Sequence, residues 1–375
     1  MKEEIVQKFL NKGKLLTPRA LDMLSKDDTE ALFIDGYTDV VVDENDVTDN
    51  IKKSVQTQEE FKILKNLTAK KQEITPDDFA RFYRSKYEKM KNILVEKTQK
   101  PFTSLNKLSN YRDEVYVVGI IRDIKERGDK KILDIEDMSG STSVIFDKEV
   151  EAELDDVVAI KAVSSKNVIF GKQIIYPDVP LRKPTTGQGK ACFVGGLKIN
   201  EAPTSELDNF FMWVEKQPIR YIFVVGDVGD LFEFERRVEK YCHDKKVFFV
   251  PGTKDVDEEY PQMPVKFNTN KIVSLSNPAM VNLKDLKILL MHKFDISMLK
   301  KRYLGKSSVV LDEDYLVLEE VPDVVCYGQS EVPHVTNYKS ITIVSSGSML
   351  ATFRPVIIDF ETREVQQIDL RTGRE

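Results

Sequence analysis

Lys190-Ala191-Cys192-Phe193-Val194-Gly195-Gly196-Leu197-Lys198 opens a segment, running to Asp255, in which apolar runs, loops and helical patterns alternate. Tyr221-Ile222-Phe223-Val224-Val225 enters Gly226-Asp227-Val228-Gly229-Asp230, and Val247-Phe248-Phe249-Val250 enters Pro251-Gly252-Thr253-Lys254-Asp255. Ser205 to Lys216 and Phe232 to Cys242 carry the helical patterns between them. Short apolar runs spaced by helices predict strands buried on both faces of a layered α/β sheet. Chemistry in such sheets sits in the loops at the carboxyl ends of the strands. At the far end, Val356 to Phe360 and Glu364 to Leu370 read as a closing hairpin.

Upstream of this body the pattern changes. Within residues 101–180, Val115 to Ile121, Lys130 to Asp137, Thr142 to Phe146, Val157 to Val163 and Val168 to Ile175 alternate with period two. Turn signals at Gly128-Asp129 and Ser139-Gly140 separate the early ones, and five short strands of this kind predict an OB-type β-barrel. Barrels of this class bind single strands through surface aromatics. This one is thin in aromatics (Tyr116, Phe146, Phe170, Tyr176) and acidic along Glu149 to Asp156, which favours a protein contact.

Residues 39–100 hold an acidic linker (Asp39, Asp43, Glu44, Asp46, Asp49) and one long helix. Thr75-Pro76-Asp77-Asp78 supplies its N-cap, its first-turn proline and acidic groups that suit the macrodipole. Phe79, Phe82, Tyr83, Tyr87, Met90 and Leu94 form its apolar stripe. Arg81, Arg84 and Lys86 belong to a basic face and are the candidate nucleic-acid contacts, although a solvated face accounts for them as well. Residues 1–38 read as a small helical unit, with Ile5, Phe9 and Leu10 on one face and a second start at Thr17-Pro18. It is either a cap on the body or a docking module for a partner.

The whole is a multidomain α+β chain of 375 residues, 41% hydrophobic and 31% charged, with a net charge of −6. That balance opposes strong DNA binding by the whole surface. No apolar run is long enough for a membrane span, and the N-terminus lacks a signal-peptide core, so a cytoplasmic protein with no membrane partner is expected. Cys192, Cys242 and Cys326 are scattered in apolar surroundings and predict reduced core thiols.

This order of parts resembles the small subunit of the archaeal D-family DNA polymerase, a relative of the eukaryotic replicative polymerase B-subunits. The local marks are Asp78-Phe79-Ala80-Arg81-Phe82-Tyr83-Arg84-Ser85-Lys86-Tyr87-Glu88-Lys89, Ser276-Asn277-Pro278-Ala279, Leu289-Leu290-Met291-His292 and Ser345-Ser346-Gly347-Ser348. The resemblance implies that residues 181–375 form a calcineurin-like phosphoesterase α/β sandwich. Active members use five loops to hold two metals that activate water and clamp a phosphate. They carry a manganese-dependent 3′→5′ exonuclease.

Against the family pattern these loops depart. Gly196 and Lys198 stand where Asp-x-His is expected. Asp227 and Asp230 keep the second motif. Thr253 and Lys254 replace the Asn and His of the third, which retains Asp255. His292 keeps the fourth, followed by Lys293 in place of glycine, and Gln329 and Glu331 replace the imidazoles of the fifth. Asp227, Asp230, Asp255 and His292 are therefore vestigial, and Lys198, Lys254 and Lys293 place positive charge where cations would sit. Asp227 has a second reading, as an acceptor of backbone hydrogen bonds that holds strand ends together. No cofactor is expected.

The resemblance thus implies a non-catalytic scaffold subunit of a replicative polymerase. Its expected partners are the large catalytic subunit and DNA within the holoenzyme; the sliding clamp is a further candidate, although no clamp-binding motif stands out. Two alternatives follow from the same residues. One is a metal-dependent phosphoesterase or exonuclease with a single Mn2+ or other divalent ion at Asp227 and His292, in a loop rebuilt with Glu331 or His334. The other is a single-strand DNA-binding OB protein.

Overall fold

The computed structural model describes residues 2–24, 40–44, 47, 61–69, 74–108, 112–147, 149–165, 168–256 and 259–371. It divides into one unit of Met1–Lys62 with Asn282–Lys284, and a second of Ile63–Val281 with Asp285–Glu375.

In the first unit, helices α1 (Lys2–Asn11) and α2 (Pro18–Leu24) flank a parallel pair, β1 (Leu15–Leu16) with β2 (Val41–Val42). Thr17 caps α2, its Oγ1 accepting from Ala20 N at 3.3 Å. Ile5 and Phe9 pack with Ala20, Leu24, Val42 and Val47. Leu10, expected on the same face, is exposed. Ile5 and Phe9 sit one turn apart, whereas Leu10 is rotated a further ~100° around the axis. Asp39, Asp46 and Asp49 of the acidic stretch lie outside the described residues.

The second unit begins with β3 (Lys62–Lys65) and α3 (Pro76–Thr98). Asp78 closes a capping box: Oδ2 accepts from both Thr75 N (2.8 Å) and Thr75 Oγ1 (2.7 Å). The stripe of α3 differs from expectation. Phe82, Tyr87, Met90, Ile93 and Leu94 are buried, but Phe79 is 47% and Tyr83 53% exposed. Lys86 is buried instead. It donates to the Asp155 carbonyl at 3.1 Å, and its ammonium lies 3.9 Å from the centroid of the Tyr303 ring. The helix is wedged between two neighbours: the barrel residues Val118, Ile120, Val157 and Ala159, and Val317 and Tyr303 of the body. Burying a lysine between them costs less than leaving it unpaired because a carbonyl and a π-face receive it.

The barrel comprises β4 (Glu114–Arg127), β5 (Lys130–Asp137), β6 (Gly140–Phe146), β7 (Val157–Ser165) and β8 (Val168–Ile175). Its order is β4-β5-β6-β8-β7 and back to β4, with β6 and β8 parallel, as the OB-type reading requires. β4 outruns its predicted end at Ile121 because a bulge between Ile121 and Asp123 bends it. Its first half then pairs with β7 and its second with β5. Gly171 leaves room for Phe146, whose ring would lie 2.3 Å from any Cβ there.

The body is a sandwich of two six-stranded sheets. Its strands are β9 (Lys190–Gly195), β10 (Tyr221–Val225), β11 (Lys246–Val250), β12 (Ile272–Ser274), β13 (Ala279–Leu283), β14 (Leu286–Met291), β15 (Val324–Tyr327), β16 (His334–Tyr338), β17 (Ile341–Ser345), β18 (Val356–Asp359) and β19 (Val365–Gln367). The sheet orders are β12-β11-β10-β9-β18-β19 and β16-β17-β15-β14-β13-β3. The predicted strands β9, β10 and β11 are parallel and in the centre, and β18-β19 is the expected hairpin. One face of the first sheet packs on α4 (Thr204–Lys216), α5 (Leu231–Tyr241) and α7 (Met349–Thr352). The other carries Phe193, Phe223 and Phe248, with neighbouring rings stacked at 4.9 Å. The outer face of the second sheet lies under α6 (Ser297–Lys301) and the segment Tyr303 to Leu318. The cysteines are buried and free, and burial pushes the Cys242 thiol up to about 12. No helix among the described residues is long and apolar enough to cross a membrane.

Barrel and body are joined both by the α3 seam and by ion pairs of Lys300 with Glu151, Lys301 with Asp156 (3.0 Å) and Lys306 with Asp155 (3.4 Å). The exposed pairs of Lys300 and Lys306 contribute about 0–1 kcal/mol each, Lys301–Asp156 is largely buried, and each fully buried apolar side chain contributes ~1.5–3 kcal/mol. The seam therefore dominates. Leu94→Ala is expected to cost about 2–5 kcal/mol in urea unfolding, and Lys300→Ala less than about 1 kcal/mol.

Candidate functional site

The loops that follow β9, β10, β11, β14 and β15 meet at one end of the sandwich. Their approach is close enough to need glycine at defined places. A Cβ on Gly226, whose φ is +68°, would stand 2.2 Å from His292 Nδ1, and one on Gly252 would stand 2.4 Å from Asp227 N. The first loop is tied to the second by Gly196 N and Lys198 N, which donate to the carbonyls of Gly226 and Asp227 at 3.0 Å each.

The retained acids have distinct partners. Asp230 is the N-cap of α5, its Oδ1 accepting from Glu233 N at 2.9 Å. Asp255 accepts from three backbone N–H groups: Val228 (2.8 Å) and Gly229 (3.0 Å) on Oδ1, and Gly252 (2.8 Å) on Oδ2. Asp227 sits at φ +47° and accepts from Lys254 N at 3.1 Å through Oδ1. Its Oδ2 lies 3.7 Å from His292 Nε2, beyond hydrogen-bond distance.

His292, only 2% exposed, is held by its backbone: its N–H donates to Asn277 Oδ1 (3.0 Å), and its carbonyl accepts from Gln329 N (2.7 Å). Asn277 Nδ2 donates in turn to Gln262 Oε1 at 2.6 Å. Sequence reasoning marked the Ser276-Asn277-Pro278 turn but gave Asn277 no role; a buried amide whose partner lies on another strand leaves no local pattern.

Of the candidate residues, the fold brings Asp227, Asp255 and His292 to one place, with the exposed Thr253 and Lys293 beside His292. Thr253, Lys254, Lys293, Gln329, Glu331 and His334 are exposed. The ammonium of Lys254 lies 3.6 Å from Glu201. His334 opens the edge strand β16, opposite Ser345. Among the described residues no three His, Cys, Asp or Glu side chains gather in a metal-binding group. Catalytic zinc sites use three protein ligands with a water, and two-metal clamps use more. Asp227 Oδ2 and His292 Nε2 are two donors, so the set does not fit a metal pair.

The nucleic-acid candidates also separate. Lys86 is buried and unavailable. Arg81 lies 3.5 Å from Asp78 and 3.8 Å from Asp312, while Arg84 is exposed. On the barrel, β5 and β6 contain one aromatic residue, Phe146, and it points inward. Asp134 on that sheet is held by Lys125 (2.5 Å) and Ser143 (2.6 Å), and Glu136 by Arg122 (2.8 Å).

No protein-family model matches the chain. Curated relatives do. The DNA polymerase II small subunit of Thermoplasma acidophilum is 24% identical over 421 aligned positions, spanning 92% of this chain and 85% of its own. That of Archaeoglobus fulgidus is 22% identical and spans 92% and 91%; that of Methanothermobacter thermautotrophicus is 22% identical and spans 72% of each. Among solved structures, a novel archaeal phosphodiesterase aligns with 48% of this chain and 98% of its own at 14% identity and a TM-score of 0.33. Vacuolar protein sorting 29 of Cryptosporidium parvum aligns with 48% and 96% at 17% identity and a TM-score of 0.31.

Burial holds the His292 pKa below its ordinary 6.5 and Lys293 adds to the effect, while the Asp227 carboxylate pulls it back up. Below pH 6.5 the unfolded chain therefore binds a proton that the folded chain refuses, and stability falls as pH drops from ~6.5 towards the folded pKa. Burial raises the Asp255 pKa above 3.8, which acts in the opposite sense and only in the carboxylate range. Urea unfolding between pH 7 and 5 should lose up to about 1.4 kcal/mol per pH unit through His292, and His292→Gln should remove that part of the slope. Gly226→Ala should destabilise by more than about 2 kcal/mol at every pH, because the methyl meets the imidazole.

Proposed function

We propose that this chain, a member of the archaeal DNA polymerase II small-subunit family, is an accessory subunit of a replicative DNA polymerase and does not cleave phosphodiesters itself. The observation that carries the second clause is the engagement of the acids. Asp255 is engaged by three backbone N–H groups and Asp230 by a helix N-terminus, leaving Asp227 and His292 as the facing donors among the described residues. Two donors hold neither a metal pair nor the water it would activate. The fold persists around them, which supports a use in its surfaces.

On this reading the large catalytic subunit is the partner, held by the barrel and the sandwich, and no metal is required. DNA is met within the holoenzyme, where Arg84 is one of the exposed cations of α3. The single-strand-binding alternative lacks its aromatic platform on β5 and β6. The N-terminal helical unit serves as a recruitment arm.

Co-expression with the large subunit should yield a complex that survives gel filtration. The purified chain, alone and in that complex, should hold no stoichiometric divalent metal by elemental analysis. It should also show no manganese-dependent 3′→5′ cleavage that Asp227→Ala abolishes. Cleavage lost on that substitution would replace the scaffold reading with a rebuilt exonuclease site.

A further inference from the structure

A cavity of about 270 Å³ lies at the β3 edge of the second sheet. Leu64, Met280 and Leu318 give it an apolar wall, the exposed Glu319 and Glu320 complete it, and Lys65 joins it from β3. We propose that Lys65 is an acylation site, its Nζ taking a short uncharged acyl group, acetyl or propionyl, from an acyl thioester. The inference goes beyond the accessory-subunit reading and does not depend on it.

The amine is held in place and half-buried. Its Nζ donates to the Val317 carbonyl at 3.2 Å and lies 4.3 Å from the centroid of the Tyr315 ring. Burial, then repulsion from Lys89, pushes the pKa down from 10.5 to about 8, against the pull of Glu319 and Asp314. A lysine desolvated beside a second cation is the usual form of a nucleophilic amine. The neutral amine keeps its bond to Val317 and has a lone pair left for an electrophile.

The surroundings select the group. Acylation replaces a buried cation with a neutral amide, whose N–H can still meet the Val317 carbonyl. The acyl carbons pack against Leu64, Met280 and Leu318, the last two 1% exposed. An anionic adduct, such as a carbamate or a succinyl group, meets cations that are already taken. Lys89 serves Glu313 at 2.9 Å and Glu319 at 3.3 Å, and Lys287 serves Glu320. At about 270 Å³ the cavity falls below the roughly 300–1,000 Å³ that drug-sized ligands fill, which limits the group to a few carbons. In the step, Nζ bonds to the thioester carbonyl carbon and the C–S bond breaks. The thiolate leaves and takes up the Nζ proton through water, so the products are an amide and a thiol.

The full chain, incubated at about pH 8 with S-acetyl-N-acetylcysteamine and read by peptide mass spectrometry, tests the site. Lys65 should be acetylated at least about tenfold faster than the exposed Lys183 and Lys216, because roughly a hundredfold more of it is free amine at that pH and burial gives back part of the advantage. Its rate should level off above about pH 8, while theirs continue to climb. The preference should vanish in the urea-unfolded chain, and the succinyl thioester should show none. Equal rates at Lys65 and the exposed lysines, a preference that survives unfolding, or equal labelling by the succinyl thioester would overturn the proposal.

Discussion

Asp255 binds the N–H groups of Val228, Gly229 and Gly252, and so one carboxylate cross-links the loops that leave two neighbouring parallel strands. Parallel strands end on the same side with their loops unsupported by the sheet ladder, and buried N–H groups in such loops must find acceptors. A charged acceptor meets several at once and makes stronger bonds than a neutral one. The glycine contacts at Gly226 and Gly252, the cap at Asp230 and the placing of His292 all presuppose loops held at that separation. What resembles the remnant of a catalytic cluster is thereby the fastening of the sandwich at that end.

Helix α3 carries a second constraint. Helix α3 is gripped by barrel and body together, and its amphipathicity is divided between two faces. Lys86 lies at their junction, where Asp155 supplies a carbonyl and Tyr303 a ring. The barrel is therefore positioned by a helix that precedes it in sequence, with exposed ion pairs adding little. This construction holds the barrel in a fixed relation to the sandwich.

Strand positions were legible because burial on both faces leaves an uninterrupted apolar run, as at Tyr221–Val225, and burial on one face leaves period-two alternation, as at Lys130–Asp137 and Val168–Ile175. Misreadings came where one element meets two partners or none. Phe79 and Tyr83 fit the three-and-four spacing of Phe82 and Leu94, yet spacing alone does not say which arc of the helix the neighbours cover. Leu10 failed because, one residue past Phe9, it falls ~100° off the buried face. The departures of the loops from the family pattern are read directly from residue types. The roles of Asp255 and Asn277 were not legible, because a carboxylate bound to backbone N–H and one bound to metal have the same letter in the sequence.

Strand β3 has a consequence for the order in which the chain folds. Although it precedes both α3 and the barrel, β3 forms the edge of the second sheet beside β13, and the turn after it is locked by Leu67 N on Ser276 Oγ, 209 residues away (2.9 Å). Sequence-distant pairing requires closure of a long loop before any contact is gained, which slows folding. During synthesis the barrel strands, whose partners are local, are complete before Ser276 has been made. The barrel is thus an insertion between β3 and its partner β13, and until β13 has been made the strand Lys62–Lys65 has no neighbour to pair with.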